Sequence, residues 1–87
     1  DIPNSVSSIG YQAFQNCKNI TTVIIPENVN SIGERAFINC SSLKDVYCKP
    51  VTPPVFGGET MMVFRGNATD RKFYVQEDAV DAYKSSI

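Results

Sequence analysis

Residues 25–48, IPENVNSIGERAFINCSSLKDVYC, restate residues 2–24 nearly position by position. Ile2-Pro3 recurs as Ile25-Pro26, and the same offset of 23 residues carries Val6 to Val29, Ser8 to Ser31, Ile9 to Ile32 and Gly10 to Gly33. It also carries Ala13-Phe14 to Ala36-Phe37, Asn16-Cys17 to Asn39-Cys40, Ile20 to Leu43 and Val23 to Val46. A unit this short cannot bury its apolar residues against itself. Stacked on copies of itself, it turns the recurring apolar positions into one continuous core. The chain is therefore expected to wind as a solenoid rather than fold around a single globular centre.

A period of this length falls in the range of about 20–29 residues that marks leucine-rich repeats. Within each unit the pattern is legible. Pro3 ends one extended segment because it has no N–H to donate. Residues 6–9 form a short extended piece, and Gly10 allows a turn. Residues 11–16 (YQAFQN) are too few for a full helix and suit a single helical or 3₁₀ turn, with Phe14 as its apolar anchor. Residues 20–25 (ITTVII) are β-branched throughout and predict a strand. Alternation puts Val23 and Ile25 inward and Thr22 and Ile24 outward. The second unit places Val46 and Cys48 inward and Asp45 and Tyr47 outward.

A third unit lies behind a proline-rich break at residues 49–54 (KPVTPP) and a loop signal at Gly57-Gly58. An offset of 27 maps Ala36-Phe37 to Val63-Phe64, Val46 to Phe73, Tyr47 to Tyr74 and Cys48 to Val75. The four extra residues are expected between Cys48 and Val63, and residues 59–62 match nothing in the other units. Cys40 becomes Asn67 and Leu43 becomes Asp70, as suits a terminal rung facing solvent. Val80, Tyr83 and Ile87 share one face of a short helix, read as a lid on the last rung, with Asp78 as its N-cap. The expected organisation is one solenoid: residues 1–24 a repeat, 25–48 a second, and 49–87 a divergent terminal repeat and cap. The fold class is β-rich α/β, with a short parallel sheet and a C-terminal capping helix.

Composition narrows the function classes. Net charge is −1 with pI near 5.2 and the basic residues scattered, which argues against nucleic acid. No apolar run approaches the roughly 18 residues a membrane span needs. The chain contains no histidine, which excludes histidine triads and histidine-ligated metals. Cys17, Cys40 and Cys48 sit at core spacing rather than in a CxxC pair, so no metal site, cofactor or catalytic residue is expected. Packing alone explains these cysteines as free thiols. A Cys17–Cys40 disulfide is the alternative, since rungs about 4.8 Å apart permit one. The acidic pairs Asp78 and Asp81, and Glu27 and Glu34, are read as solvated surface groups. Gly57-Gly58 lacks the Lys and Ser/Thr of a phosphate loop. Asn19, Asn39 and Asn67 head glycosylation sequons but are read as turn caps and strand starts. Residues 61–64 (MMVF) read as core Phe64 with methionines filling around it.

The motif IPxxVxSIGxxAFxNCxxΦxxV (Φ apolar), present at residues 2–23 and 25–46, resembles the BspA-like leucine-rich repeat family of bacterial surface proteins. The tail is similar to that family's C-terminal cap, a Tyr-Val strand followed by a short helix with a Tyr-Lys pair, here Tyr74-Val75 and Tyr83-Lys84. It departs at Gln76, where the cap often has proline. The resemblance implies a right-handed solenoid on cell-surface or secreted proteins that bind host or matrix partners. It implies no catalytic residues. The chain opens on polar DIPNS, inside a repeat, and so reads as a segment of a longer protein that carries a signal peptide elsewhere.

The outward residues of the three strands are then Thr22 and Ile24, Asp45 and Tyr47, and Lys72 and Tyr74. This face is the candidate ligand-binding surface for an extracellular protein or glycan, with no nucleic acid and no membrane insertion. A purely structural spacer is the alternative, and an enzyme ranks last. An uncapped N-terminal end, exposing Ile9, Phe14 and Ile20, is expected to favour self-association.

Overall fold

A computed structural model describes residues 2–58 and 63–86. Among the described residues, six short strands run in order β1 (Ser8–Ile9), β2 (Thr22–Ile25), β3 (Ser31–Ile32), β4 (Asp45–Cys48), β5 (Val55–Phe56) and β6 (Lys72–Val75). A 3₁₀ turn (Glu77–Ala79) and helix α1 (Val80–Ser86) close the chain. The strands form two three-stranded parallel sheets, β1-β3-β5 and β2-β4-β6. One sheet was expected; the short extended piece before each glycine builds the second. These features make a leucine-rich-repeat-like α/β architecture.

The sequence offsets are the hydrogen-bonded registers. Ile9 pairs with Ile32 and Val23 with Val46, both 23 residues apart. Val46 pairs with Phe73 at an offset of 27. Ile32, however, pairs with Phe56 at an offset of 24. The four extra residues are thus divided, one falling before β5 and three after it. The proline-rich break and the Gly57-Gly58 signal therefore flank a genuine third copy of the SIG segment, which reads VFG.

Residues 11–16 do not form the expected helical turn. They make a chain of tight turns, with N–H to C=O bonds from Ala13 to Gly10, Gln15 to Gln12 and Cys17 to Phe14. The alternate N–H groups of Gln12, Phe14 and Asn16 point along the solenoid and donate to the carbonyls of Glu34, Ala36 and Ile38 in the next rung. Phe37 and Asn39 donate onward to Val63 and Arg65. This zigzag needs left-handed residues, and Gln12, Asn16, Arg35 and Asn39 all take φ of 56–63°. Backbone amides are thereby satisfied without a helix.

The core is a set of columns. The rings of Phe14 and Phe37 stack 5.2 Å apart at 1°, and those of Phe37 and Phe64 stack 5.5 Å apart at 0°. Phe37 is fully buried; Phe14 is partly buried. Ile9 over Ile32 and Val23 over Val46 run parallel to this stack. Gly33 has a role beyond turning the chain. A Cβ there would lie 2.5 Å from the Tyr11 nitrogen of the rung before, and at Gly57 it would lie 2.7 Å from the Glu34 nitrogen. The residue is glycine because two backbones pass too closely for a side chain.

In the third rung Asn67 is not merely a solvent-facing replacement for Cys40. The Cys40 thiol donates to the Phe14 carbonyl at 3.0 Å, and Asn67 Nδ2 donates to the equivalent Phe37 carbonyl at 2.9 Å. Asp70, in contrast, is exposed as expected. Arg71 lies over the Phe64 ring and nearer the Phe73 ring, at 5.6 and 4.8 Å, while its Nη1 donates to the Phe64 carbonyl at 2.9 Å. A cation thus closes the phenylalanine stack. Val63 and Phe64 are buried; Met61, Met62 and Ile87 lie outside the described residues.

The lid is present, with a different start. Gln76, not Asp78, holds the N-cap position of the 3₁₀ turn, and Asp78 lies within it. Gln76 Nε2 instead donates to the Lys49 carbonyl at 2.6 Å. Ala79 and Tyr83 are buried, and Tyr83 Oη donates to the Pro50 carbonyl at 2.7 Å. Cys17, Cys40 and Cys48 are free thiols. Burial pushes the Cys48 thiol up to about 12 from near 9, and raises the Tyr83 hydroxyl as well.

Two stability predictions follow from this packing. Phe37→Ala removes the middle ring of the stack and is expected to cost about 3–5 kcal/mol. Gly33→Ala, which drives a Cβ into backbone, is expected to cost at least about 2 kcal/mol. Urea denaturation checks both, and a midpoint within error of wild type for either would contradict the stacking. The cap adds a pH dependence. Cys48 and Tyr83 both favour the protonated form when folded, so their contribution is complete below the ordinary thiol value near 9. It is lost as pH rises toward about 12. The urea midpoint should hold from pH 7 to 9 and fall above it. At pH 8 a thiol reagent should modify half-buried Cys17 well before buried Cys40 and Cys48.

Candidate functional site

The β2-β4-β6 sheet owes its outer face to the period of two along each strand. Val23, Ile25, Val46 and Cys48 turn inward and are buried, which forces Thr22, Ile24 and Tyr47 outward. Asp45 is half-buried on the same side. Lys72 and Tyr74 are exposed beside partly buried Phe73 and Val75. All six residues expected on this surface lie there. The register sets Thr22, Asp45 and Lys72 in one column and Ile24, Tyr47 and Tyr74 in the other.

The second column is an apolar strip beside the polar column of Thr22, Asp45 and Lys72. Ile24, Tyr47 and Tyr74 are 48%, 40% and 41% exposed, high for large side chains brought together by the fold. The rings of Tyr47 and Tyr74 stack 4.6 Å apart at 15°. The corresponding outward column of the other sheet, Ser8, Ser31 and Val55, carries two serines and one exposed valine, and no ring.

The polar column is tied to the aromatic one. Tyr74 Oη donates to Asp45 Oδ1 at 3.0 Å, a diagonal contact between neighbouring strands. The Asp45 acceptor raises the Tyr74 hydroxyl above its ordinary value, because the bond is lost on deprotonation. Sequence reasoning placed Asp45 opposite Lys72 and missed this bond. The signal was there: an acidic residue two positions before one tyrosine, on the strand next to a second tyrosine. The arrangement offers a rigid pair of rings, two hydroxyls and an oriented carboxylate. It holds no nucleophile paired with a base, and among the described residues no group of three or more His, Cys, Asp or Glu could hold a metal ion.

Among the described residues no helix is long and apolar enough to cross a membrane. No curated protein matches the chain. Residues 1–53 match the BspA type leucine rich repeat region (6 copies). Proteins with this repeat are typically bacterial surface proteins, and the repeat suggests a protein-binding or repeat module of a typically non-enzymatic family. The 23-residue register, the two parallel sheets and this match over more than half of the sequence show that the chain belongs to the BspA-type leucine-rich repeat family.

Proposed function

We propose that the chain is a non-catalytic binding and adhesion module of a cell-surface or secreted protein, and that the outer face of β2-β4-β6 contacts an extracellular protein. The observation that carries this reading is the half-exposed Tyr47–Tyr74 pair continued by Ile24. Tyrosines with an apolar body and a polar tip are over-represented among interface hot spots. A protein partner suits the geometry better than a glycan. Sugars pack on free ring faces, whereas stacking takes one face of each ring and the register sets Ile24 on the other side of Tyr47. The column therefore offers ring edges and hydroxyls, and one ring face only, that of Tyr74 on the edge strand. A right-handed winding belongs to the same reading, since parallel crossover connections are right-handed in about 98% of cases.

A second reading, a structural spacer, is favoured by one observation. The ring stack and the Tyr74–Asp45 bond tie β4 to β6, and such cross-strand pairs contribute about 0.2–1 kcal/mol each. The Tyr47→Ala, Tyr74→Ala double variant separates the two. Wild type and variant are compared by surface plasmon resonance on purified extracellular-matrix proteins and on a glycan array. The binding reading expects at least about a tenfold loss of affinity for a matrix protein with an intact fold. Unchanged affinity would sink it, a loss confined to glycans would reassign the partner class, and a lower melting temperature alone would support the spacer.

A further inference from the structure

Among the described residues β6 is an edge strand of its sheet. The Lys72 N–H donates to the Lys44 carbonyl beside β4. Backbone groups alternate sides along a strand, so those of Phe73 and Val75 point away from β4, along the free edge. The inward side chains at this edge are also less covered than elsewhere in the sheet. Val23, Ile25, Val46 and Cys48 are buried, whereas Phe73 and Val75 stay half-buried. Together with Val80, Tyr83 and Lys84 of α1 they line a mainly apolar groove between strand and helix.

The outward side of the same edge is incomplete as well. Tyr74 stacks one ring face on Tyr47 at 4.6 Å, and Asp45 Oδ1 accepts its hydroxyl at 3.0 Å. The other ring face is thereby held looking off the edge, where a further strand would place the next side chain of the column. Lys72 is exposed beside it, and Asp45, across from Lys72 in the register, is already engaged by Tyr74.

We propose that the free edge of β6 and the groove beside it receive an extended acidic segment of a partner protein, which adds to β2-β4-β6 as a fourth strand. This rests on the reading of the outer face as a binding surface, and specifies how the partner is held there. In strand addition, main-chain bonds give affinity and pockets for alternate side chains give specificity. The register dictates the pattern of the segment. Residues across from Phe73 and Val75 are small and apolar and enter the groove. Between them, an aromatic or aliphatic side chain covers the free face of Tyr74. A carboxylate stands across from Lys72, and Lys84 on the groove wall favours the same sign of charge. A second copy is a poorer occupant, because its own β6, KFYV, brings no acid to Lys72.

The probe is a fluorescent synthetic peptide, SDVYVDS, whose symmetric pattern suits either strand direction. Fluorescence anisotropy measures its binding to the 87-residue chain. The peptide should bind, and a version N-methylated along its backbone should bind at least about tenfold more weakly. Val75→Pro should cost at least about tenfold too, because it removes an edge N–H that β4 does not use. Lys72→Glu, at an exposed position, should weaken this peptide and strengthen one with lysine in place of its aspartates. Circular dichroism checks the fold of each variant, and if Val75→Pro unfolds, the Lys72→Glu exchange decides. Peptide binding weaker than about 1 mM, or unmoved by N-methylation and by both variants, would overturn the proposal. So would a chain that dimerises until Val75→Pro breaks the dimer. A matrix protein that loses affinity for the Tyr47→Ala, Tyr74→Ala variant but not for a folded Val75→Pro would refute strand addition and leave the binding reading standing.

Discussion

The structure depends on one column: Phe14, Phe37 and Phe64, stacked at 5.2 and 5.5 Å with nearly parallel planes, and Arg71 over the last ring. Parallel rings require successive rungs to be related by translation with almost no rotation at that corner. The same translation brings Ile9 under Ile32 and Val23 under Val46, and carries the turn amides onto the next row of carbonyls. Aromatic packing, two short sheets and the amide zigzag are thus three expressions of one spacing. None is independent of the others. The sheets have only two or four residues per strand, too little to hold together unaided.

Much of this was legible because a repeat converts sequence offsets directly into spatial neighbours. Val23, Val46 and Phe73 could be aligned on paper and are aligned in the structure. The reading failed where a unit departs from the period. Val55-Phe56 was lost because its offset of 24 falls between the 23 of the first units and the 27 of the last, and because prolines precede it. Residues 11–16 misled for another reason. Their composition suits a helical turn, but the left-handed φ of Gln12 and Asn16 turns every second amide toward the next rung, a tertiary demand that no local propensity reports.

The outer face followed from alternation, so all six of its residues were placed correctly. Its chemistry was less accessible. Alternation says which way a side chain points, not which neighbour it chooses, and Asp45 bonds diagonally to Tyr74 rather than straight across. Asn67 teaches a related lesson. Counted by hydrophobicity it is a failed core position; counted by hydrogen bonding it does what Cys40 does, with an amide in place of a thiol.

The lid has a consequence for how such chains can change. Its two polar anchors, Gln76 to the Lys49 carbonyl and Tyr83 to the Pro50 carbonyl, both grip main chain. A carbonyl is the same whatever side chain it carries. These two anchors are therefore indifferent to the side chains of the segment they grip, while buried Ala79 and Tyr83 ask only for the apolar positions the repeat keeps. Whole units can be duplicated or lost by recombination upstream while the same end piece still fits, so the length of the solenoid can evolve without its terminus having to evolve with it.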